Sequence, residues 1–135
     1  MLRIVTLVLA AALLGTVGCG STETTAATPS GIRSVSPAEA SALAAEEGVE
    51  VIDVRTPGEF AGGHLADATL VDFEALDFAS RIGELERDGR YVVYCRSGNR
   101  SAQAVARMEE LGFTDVADVE GGILAWEAAD LPVVR

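Results

Sequence analysis

Lysine is absent from this 135-residue chain, and all ten of its basic residues are arginines. Acidic residues number 21, so the formal net charge is −11. A protein with this excess of negative charge is repelled by phosphate backbones, which argues against nucleic acid as a partner. The acidity itself indicates a solvated surface that keeps the protein soluble.

A hydrophobic run long enough for a transmembrane helix is also missing, since such a helix needs roughly 20 apolar residues. The longest run, IVTLVLAAALLGTV at residues 4–17, follows a single positive charge at Arg3. An apolar segment of about 7–15 residues behind a positive charge is typical of a secretory signal peptide. We therefore predict that residues 1–18 direct export and do not belong to the folded domain.

The end of this segment, T-V-G-C at residues 16–19, resembles the lipobox of bacterial lipoproteins. Gly18 and Cys19 match that pattern, whereas Thr16 stands where leucine is usual. The resemblance implies that Cys19 becomes lipid-modified and anchors the protein to the outer face of the cell membrane, in the cell envelope or periplasm. Ordinary secretion and an uncleaved membrane anchor are the alternatives.

Cysteine and histidine are scarce, and this limits the chemistry of the domain. With Cys19 attached to lipid, Cys95 is the only remaining thiol, so no intramolecular disulfide forms. His64, the single histidine, and one thiol do not make a metal-ligand set, and we predict neither a metal nor another cofactor. Residues 19–31 are rich in Thr, Ala, Ser and Gly and are predicted to form a flexible tether before a domain at 32–135.

Within that domain, strand-like and helix-like patterns alternate. Predicted strands lie at 32–35, 50–54, 68–72, 91–94 and 116–119, and predicted helices at 37–47, 74–86, 101–111 and 122–129. The segment 57–65 is predicted to be a loop with one helical turn. Such alternation is typical of an α/β fold with a parallel central sheet and helices on both faces.

Local signals indicate where two of these helices begin and end. Ser36 is a predicted N-cap, with Pro37 at the first helical position and Glu39 completing a capping box. Gly112 is expected to end the helix over 101–111 in the left-handed conformation, with Phe113 folding back onto Met108.

The stretch YVVYCRSGNRSA, residues 91–102, places Cys95 between a buried strand and the start of a helix. The first N–H groups of a helix are unpaired and carry partial positive charge. Gly98 permits a positive φ, which turns N–H groups inward to form a nest for an anion. Arg96 and Arg100 add full charges. These effects favour the thiolate and predict a lowered pKa for Cys95.

The sequence CRSGNRS, residues 95–101, resembles the active-site loop of single-domain rhodanese-like sulfurtransferases. VIDVRTPGEFAGGHL at 51–65 resembles the first signature of that family, and VEGGILAW at 119–126, followed by LPV, resembles the closing one. The likeness covers nearly all of residues 32–135 and implies the rhodanese-like α/β fold. One departure is HLADA at 64–68, where relatives commonly have a Pro-Gly pair.

The resemblance also implies a reaction. The Cys95 thiolate takes the outer sulfur of a small anionic donor such as thiosulfate and becomes a persulfide. An acceptor then removes that sulfur: cyanide in an assay, or a small or protein thiol in a cell. Covalent catalysis in two half-reactions predicts ping-pong kinetics.

Each residue of the implied site has a plainer alternative. Cys95 is the implied nucleophile, but a strand-end cysteine is often inert. The donor and the persulfide are implied to be bound by Arg96, Ser97, Gly98, Asn99, Arg100 and Ser101. Arg100 could instead pair with nearby acids and Arg96 could face solvent. Asp53 and Arg55 are implied to support the loop, with surface charge as the alternative.

Two other functions remain open at this point. Cell-cycle dual-specificity phosphatases and some arsenate reductases share the architecture, but their loop has five residues between Cys and Arg, whereas four separate Cys95 from Arg100. The shorter loop suits sulfur better than a tetrahedral oxyanion. A tethered, non-catalytic module that docks a partner or senses sulfur species is the other alternative. The intact Cys95 argues against it.

Overall fold

The structure, a computed structural model, describes residues 31–135, so the predicted signal peptide and nearly all of the predicted tether lie outside the described residues. Five strands alternate with five helices. In chain order they are β1 Ile32–Val35, α1 Pro37–Ala44, β2 Val49–Asp53, α2 Pro57–Ala61, β3 Thr69–Leu70, α3 Phe78–Gly83, β4 Arg90–Tyr94, α4 Asn99–Glu110, β5 Asp115–Val119 and α5 Gly122–Ala128.

The strands form one parallel sheet in the order β1-β5-β4-β2-β3. The central strand β4 pairs with β2 on one side and with β5 on the other. All carboxyl ends of these strands therefore open onto the same edge of the sheet, and Cys95 follows β4 at the middle of that edge. This arrangement confirms the predicted fold class.

Two hydrophobic cores lie on the two faces of the sheet, because side chains alternate along each strand. Tyr91 and Val93 of β4 join the core under α3 and α4, and Cys95 belongs to this same core. Val92 and Tyr94 join the core under α1 and α5. Both faces of β4 are thus covered, as its continuous apolar sequence predicts.

The prediction of a long helix over 74–86 was wrong, since α3 spans only Phe78–Gly83. The Asp72 carboxylate accepts a hydrogen bond from the Glu74 N–H at 2.9 Å, and the Ala75 N–H donates to the Asp72 carbonyl at 3.2 Å. These local bonds form a turn that competes with helix. Leu76 is fully exposed in that turn.

The predicted signals at the ends of α1 and α4 were mostly confirmed. The Ser36 hydroxyl accepts the Glu39 N–H at 3.3 Å, but within residues 31–135 the Glu39 side chain does not bond back to the Ser36 N–H, so the predicted capping box is only half formed. Gly112 adopts a φ of +91°. The Phe113 N–H donates to the Met108 carbonyl at 3.1 Å and closes the helix end. However, α1 ends at Ala44, before the predicted 47, and α4 begins at Asn99, before the predicted 101.

Among residues 31–135, no helix combines the length and hydrophobicity needed to cross a membrane.

Candidate active site

Cys95 lies directly after β4, with only 1% of its surface exposed. Gly98 adopts a φ of +99°, and its N–H points at the Cys95 sulfur with a nitrogen–sulfur distance of 3.1 Å. Gly98 is also the N-cap of α4, and its carbonyl accepts the Ala102 N–H. The positive φ predicted for this glycine thus turns the start of the helix around the sulfur.

The environment of the sulfur favours its ionised form. Burial alone raises the pKa of a thiol, but hydrogen bonds to Sγ from the Ser101 hydroxyl and from the N–H groups of Ser101, Gly98 and Ser97 outweigh it, so the pKa of Cys95 is lowered. The loop therefore favours a negative charge on sulfur through one hydroxyl and three backbone N–H groups, the latter arranged as in a nest.

The closing segment, VEGGILAW at 119–126, contains the first turn of α5 and fixes the other side of the loop. The Ile123 N–H donates to the Cys95 carbonyl at 2.9 Å, and the Leu124 N–H donates to the Arg96 carbonyl at 3.2 Å. Gly122 has a φ of +60°, and a Cβ built there would lie 2.4 Å from the Cys95 carbonyl oxygen. The VEGGILAW stretch therefore serves as the support on which the cysteine loop is held.

Arg100 extends from the first turn of α4 and pairs with Glu59 through two hydrogen bonds of 2.8 and 2.9 Å. Glu59 also completes the capping box of α2, because its carboxylate accepts both the N–H and the hydroxyl of Thr56. The bond from Arg100 is the main reason that the pKa of Glu59 falls to about 2, despite burial that raises it. The ion pair thus joins the cysteine loop to the loop after β2.

Replacing Glu59 with glutamine should lower stability only where its carboxylate is ionised. The pKa falls from 4.5 to about 2 on folding, so the ion pair stabilises the fold above pH 4.5, and its contribution is lost as the pH drops towards 2. Both partners are partly exposed, and we expect a loss of about 1–2 kcal/mol in the free energy of unfolding at neutral pH. Denaturant unfolding from neutral pH to about pH 2 should show the two proteins converging.

Glu74→Gln is the matched control for this experiment. Its carboxylate lies 3.7 Å from Arg100, and its side chain is 62% exposed. We expect a change of less than about 0.5 kcal/mol for this variant. An equal loss in both variants, or a Glu59→Gln difference that does not shrink in acid, would contradict the assigned ion pair.

Asp53 and Arg55 form a second ion pair, which is fully buried and therefore is not surface charge. The Arg55 guanidinium bonds both Asp53 oxygens and the Gly63 carbonyl. Asp53 also accepts the Tyr94 hydroxyl, and this bond and burial raise the pKa of that phenol. The pair therefore fixes Tyr94, the residue before Cys95, but the structure gives it no direct bond to residues 96–101.

The structure brings the predicted site residues together, with differences in how each is used. Ser97, Gly98 and Ser101 direct donors at the sulfur, and Arg96, Ser97 and Asn99 are exposed around the loop. Arg96 borders an open cleft of about 240 Å³ that Arg55 and Glu127 also line. His64 stacks on Phe60, and its Nδ1 lies 3.0 Å from the Phe60 carbonyl oxygen.

Sequence reasoning missed the connection between Glu59 and the cysteine loop. The capping-box signature T-P-G-E at 56–59 was a usable signal for the position of Glu59 at the start of a helix. Its partner Arg100 is 41 residues further along the chain, and no local pattern joins the two. The tertiary fold alone creates this contact.

The parallel sheet and the cysteine loop at the head of a helix define an α/β domain that places one buried thiol with a lowered pKa at the carboxyl edge of its sheet. The chain belongs to the family described as Rhodanese-like domain, whose model matches residues 36–129. This confirms the family resemblance seen in the sequence.

Named relatives agree with this membership. The chain is 40% identical over 92 residues to a protein of Allochromatium vinosum named "Sulfurtransferase", covering 68% of this chain and 84% of that protein. It is 36% identical over 94 residues to "Thiosulfate sulfurtransferase GlpE" of Pseudomonas putida, covering 70% and 84% of the two chains. A crystal structure of a rhodanese-related protein from Thermoplasma volcanium shares 38% identity with a TM-score of 0.66, covering 76% and 97%.

Proposed function

We propose that this protein is a sulfurtransferase that moves a sulfane sulfur from thiosulfate, or a similar small anionic donor, to a thiophilic acceptor through a persulfide on Cys95. The observation that carries the proposal is the Gly98 N–H held 3.1 Å from a buried sulfur whose pKa is lowered. A thiolate is the form of cysteine that attacks sulfur.

In the first half-reaction, the Cys95 thiolate attacks the outer sulfur of thiosulfate. A new S–S bond forms at Cys95, and the S–S bond of the donor breaks. Sulfite leaves with the electron pair of that bond, and Cys95 is left as a persulfide. The N–H groups that stabilise the thiolate suit the terminal sulfur of the persulfide, because it carries the same negative charge.

In the second half-reaction, an acceptor attacks the terminal sulfur of the persulfide. With cyanide, a carbon–sulfur bond forms, thiocyanate departs, and the electron pair of the broken S–S bond returns to Cys95 as the thiolate. A thiol acceptor gives a persulfide of its own by the same displacement, after losing its proton to solvent. No external oxidant or reductant is needed in either half-reaction.

The two arginines of the loop take different parts in this proposal. Arg96 is exposed at a cleft beside the loop and is available to a donor's sulfonate. Arg100 already pairs with Glu59. Its charge acts on the Cys95 sulfur through space and not through a direct bond. Arg96 is therefore the better candidate for direct contact with the donor.

Steady-state kinetics with thiosulfate and cyanide test the proposal. We expect thiocyanate formation with parallel double-reciprocal lines, as ping-pong kinetics require. An aryl phosphate and arsenate are tested beside thiosulfate, cysteine persulfide and polysulfide. Phosphatase or arsenate-reductase turnover without sulfur transfer would replace the proposal with oxyanion chemistry. Absence of any turnover would leave a binding or sensing module.

We also propose that the protein is exported and held at the outer face of the cell membrane by lipid on Cys19, which lies outside the described residues. Cys19→Ala should then move the protein from the membrane fraction to the soluble fraction and abolish the mass added by diacylglycerol. Fractionation and intact mass measure the two effects, with Cys95→Ser as the matched cysteine control. A Cys19→Ala protein that stays in the membrane would indicate that the apolar run itself is the anchor.

A further inference from the structure

Asp118 of β5 is a half-buried acidic residue that the proposed reaction does not use. It is aligned with Val93 of β4, two residues before Cys95. Because side chains alternate along a strand, Asp118 and Val116 share the face that carries Cys95 and α4. Within residues 31–135, its buried Oδ1 has no hydrogen-bond partner. An unpaired buried polar oxygen is costly, so its position beside the reactive sulfur requires a reason.

The Ser101 hydroxyl affects both Asp118 and the Cys95 sulfur. Ser101 is completely buried in the first turn of α4. Its hydroxyl donates to the Gly98 carbonyl at 3.3 Å, and it lowers the pKa of both the Cys95 thiol and the Asp118 carboxyl. A hydroxyl has a single proton to donate, so these acceptors compete for it.

We propose that Asp118 is a positioning residue for the Cys95 thiolate, which in its neutral form donates to Ser101 Oγ and so directs the Ser101 hydroxyl proton to the sulfur. This inference rests on the proposed function and extends it to the control of the nucleophile. When Asp118 ionises, its proton goes to solvent and the carboxylate attracts the Ser101 hydroxyl. The thiolate then loses a donor and gains a negative neighbour.

The charges around Asp118, Ser101 and Cys95 are consistent with an Asp118 carboxyl that stays neutral to a higher pH than an ordinary aspartate does. Burial is the main cause that raises the pKa of Asp118, the Ser101 hydroxyl opposes it, and the negative charge of Glu120 adds to it. Val93 of β4 and Ser34 of β1, the strand neighbours of Asp118, do not titrate. From α4, Arg100 acts on the Cys95 sulfur and favours the thiolate.

Asp118→Asn tests this role, because the amide donates to Ser101 Oγ at every pH and cannot ionise. The rate of iodoacetamide alkylation of Cys95 is measured against pH in the full chain, with the Cys95 peptide resolved by mass from the one that contains Cys19. We expect two ionisations in the wild-type profile and one in Asp118→Asn. Above the pH at which Asp118 ionises, the variant should react about two- to tenfold faster, the effect of one hydrogen bond.

Ser101→Ala and the double variant decide whether the effect passes through the hydroxyl. Ser101→Ala alone should slow alkylation by about two- to tenfold near neutral pH. In that background, Asp118→Asn should change the rate by less than about twofold. The proposal is overturned if Asp118→Asn changes the alkylation rate by the same factor in the wild-type and Ser101→Ala backgrounds. It is also overturned if the pH profiles of alkylation coincide for the wild type and Asp118→Asn. Thermal melts establish that each variant is folded.

The measurement does not depend on sulfur transfer, so the two claims fail separately. The protein could lack sulfurtransferase turnover and still show two ionisations in its alkylation profile, reduced to one by Asp118→Asn. That result would retain the positioning role and reject the proposed function. Turnover with coincident alkylation profiles would retain the function and reject the role of Asp118.

Discussion

Cys95→Ser is expected to reduce thiocyanate formation from thiosulfate and cyanide by roughly three orders of magnitude or more, because a serine hydroxyl cannot form or carry the persulfide. The substitution is nearly isosteric at a position with 1% exposure, so the fold should persist. Turnover is measured by thiocyanate production at saturating donor, and folding by circular dichroism.

Cys19→Ser is the matched control, since it removes the other cysteine of the chain and leaves the loop intact. Its turnover should equal that of the wild type when both are assayed in the same detergent. Substantial activity in Cys95→Ser would assign the nucleophile elsewhere. Equal losses in both variants would point to damage unrelated to the loop.

Gly122→Ala should have the largest effect on stability among the substitutions considered. The added Cβ would lie 2.4 Å from the Cys95 carbonyl oxygen and 2.6 Å from the Arg96 carbonyl carbon. These are backbone atoms, which cannot rotate away, and the φ of +60° is itself unfavourable for alanine. We expect a loss of about 2–5 kcal/mol in the free energy of unfolding, and a melting temperature lower by roughly 10 °C or more.

The same variant should also lose activity where it remains folded, because relief of the clash displaces the Cys95–Arg96 backbone. Gly83→Ala in α3 is the control, since its Cβ would meet no atom within 4 Å. That substitution should be neutral or stabilising by up to about 1 kcal/mol. If Gly122→Ala melts like Gly83→Ala and keeps full turnover, the closing segment does not support the loop.

The parts of this structure that could be predicted from sequence are those set by neighbouring residues. Gly98 and Gly112 take the positive φ angles that their positions beside helices require. The apolar run over 91–94 becomes the central strand for the same local reason. The Asp72 turn shows where prediction from hydrophobic periodicity fails. The Asp72 side chain accepts the N–H of Glu74, and this local bond shortens the predicted helix at 74–86.

The contacts that complete the candidate site could not be predicted, because they join residues that are distant in the chain. Glu59 meets Arg100 across 41 residues, and Asp53 meets Tyr94 across the same separation. Asp118 reaches Ser101 only because β5 lies beside β4 under the start of α4. Local sequence signals and the family resemblance predicted Cys95 and its loop as the candidate site, whereas the order of the strands determined which charged groups surround them.

Intact mass spectrometry of the protein after brief exposure to thiosulfate tests the central claim most directly. We predict a gain of one sulfur atom, located on the peptide that contains Cys95 and removed by cyanide with return to the starting mass. A protein whose mass does not change with thiosulfate, cysteine persulfide or polysulfide, or whose added sulfur lies on another residue, would contradict the account.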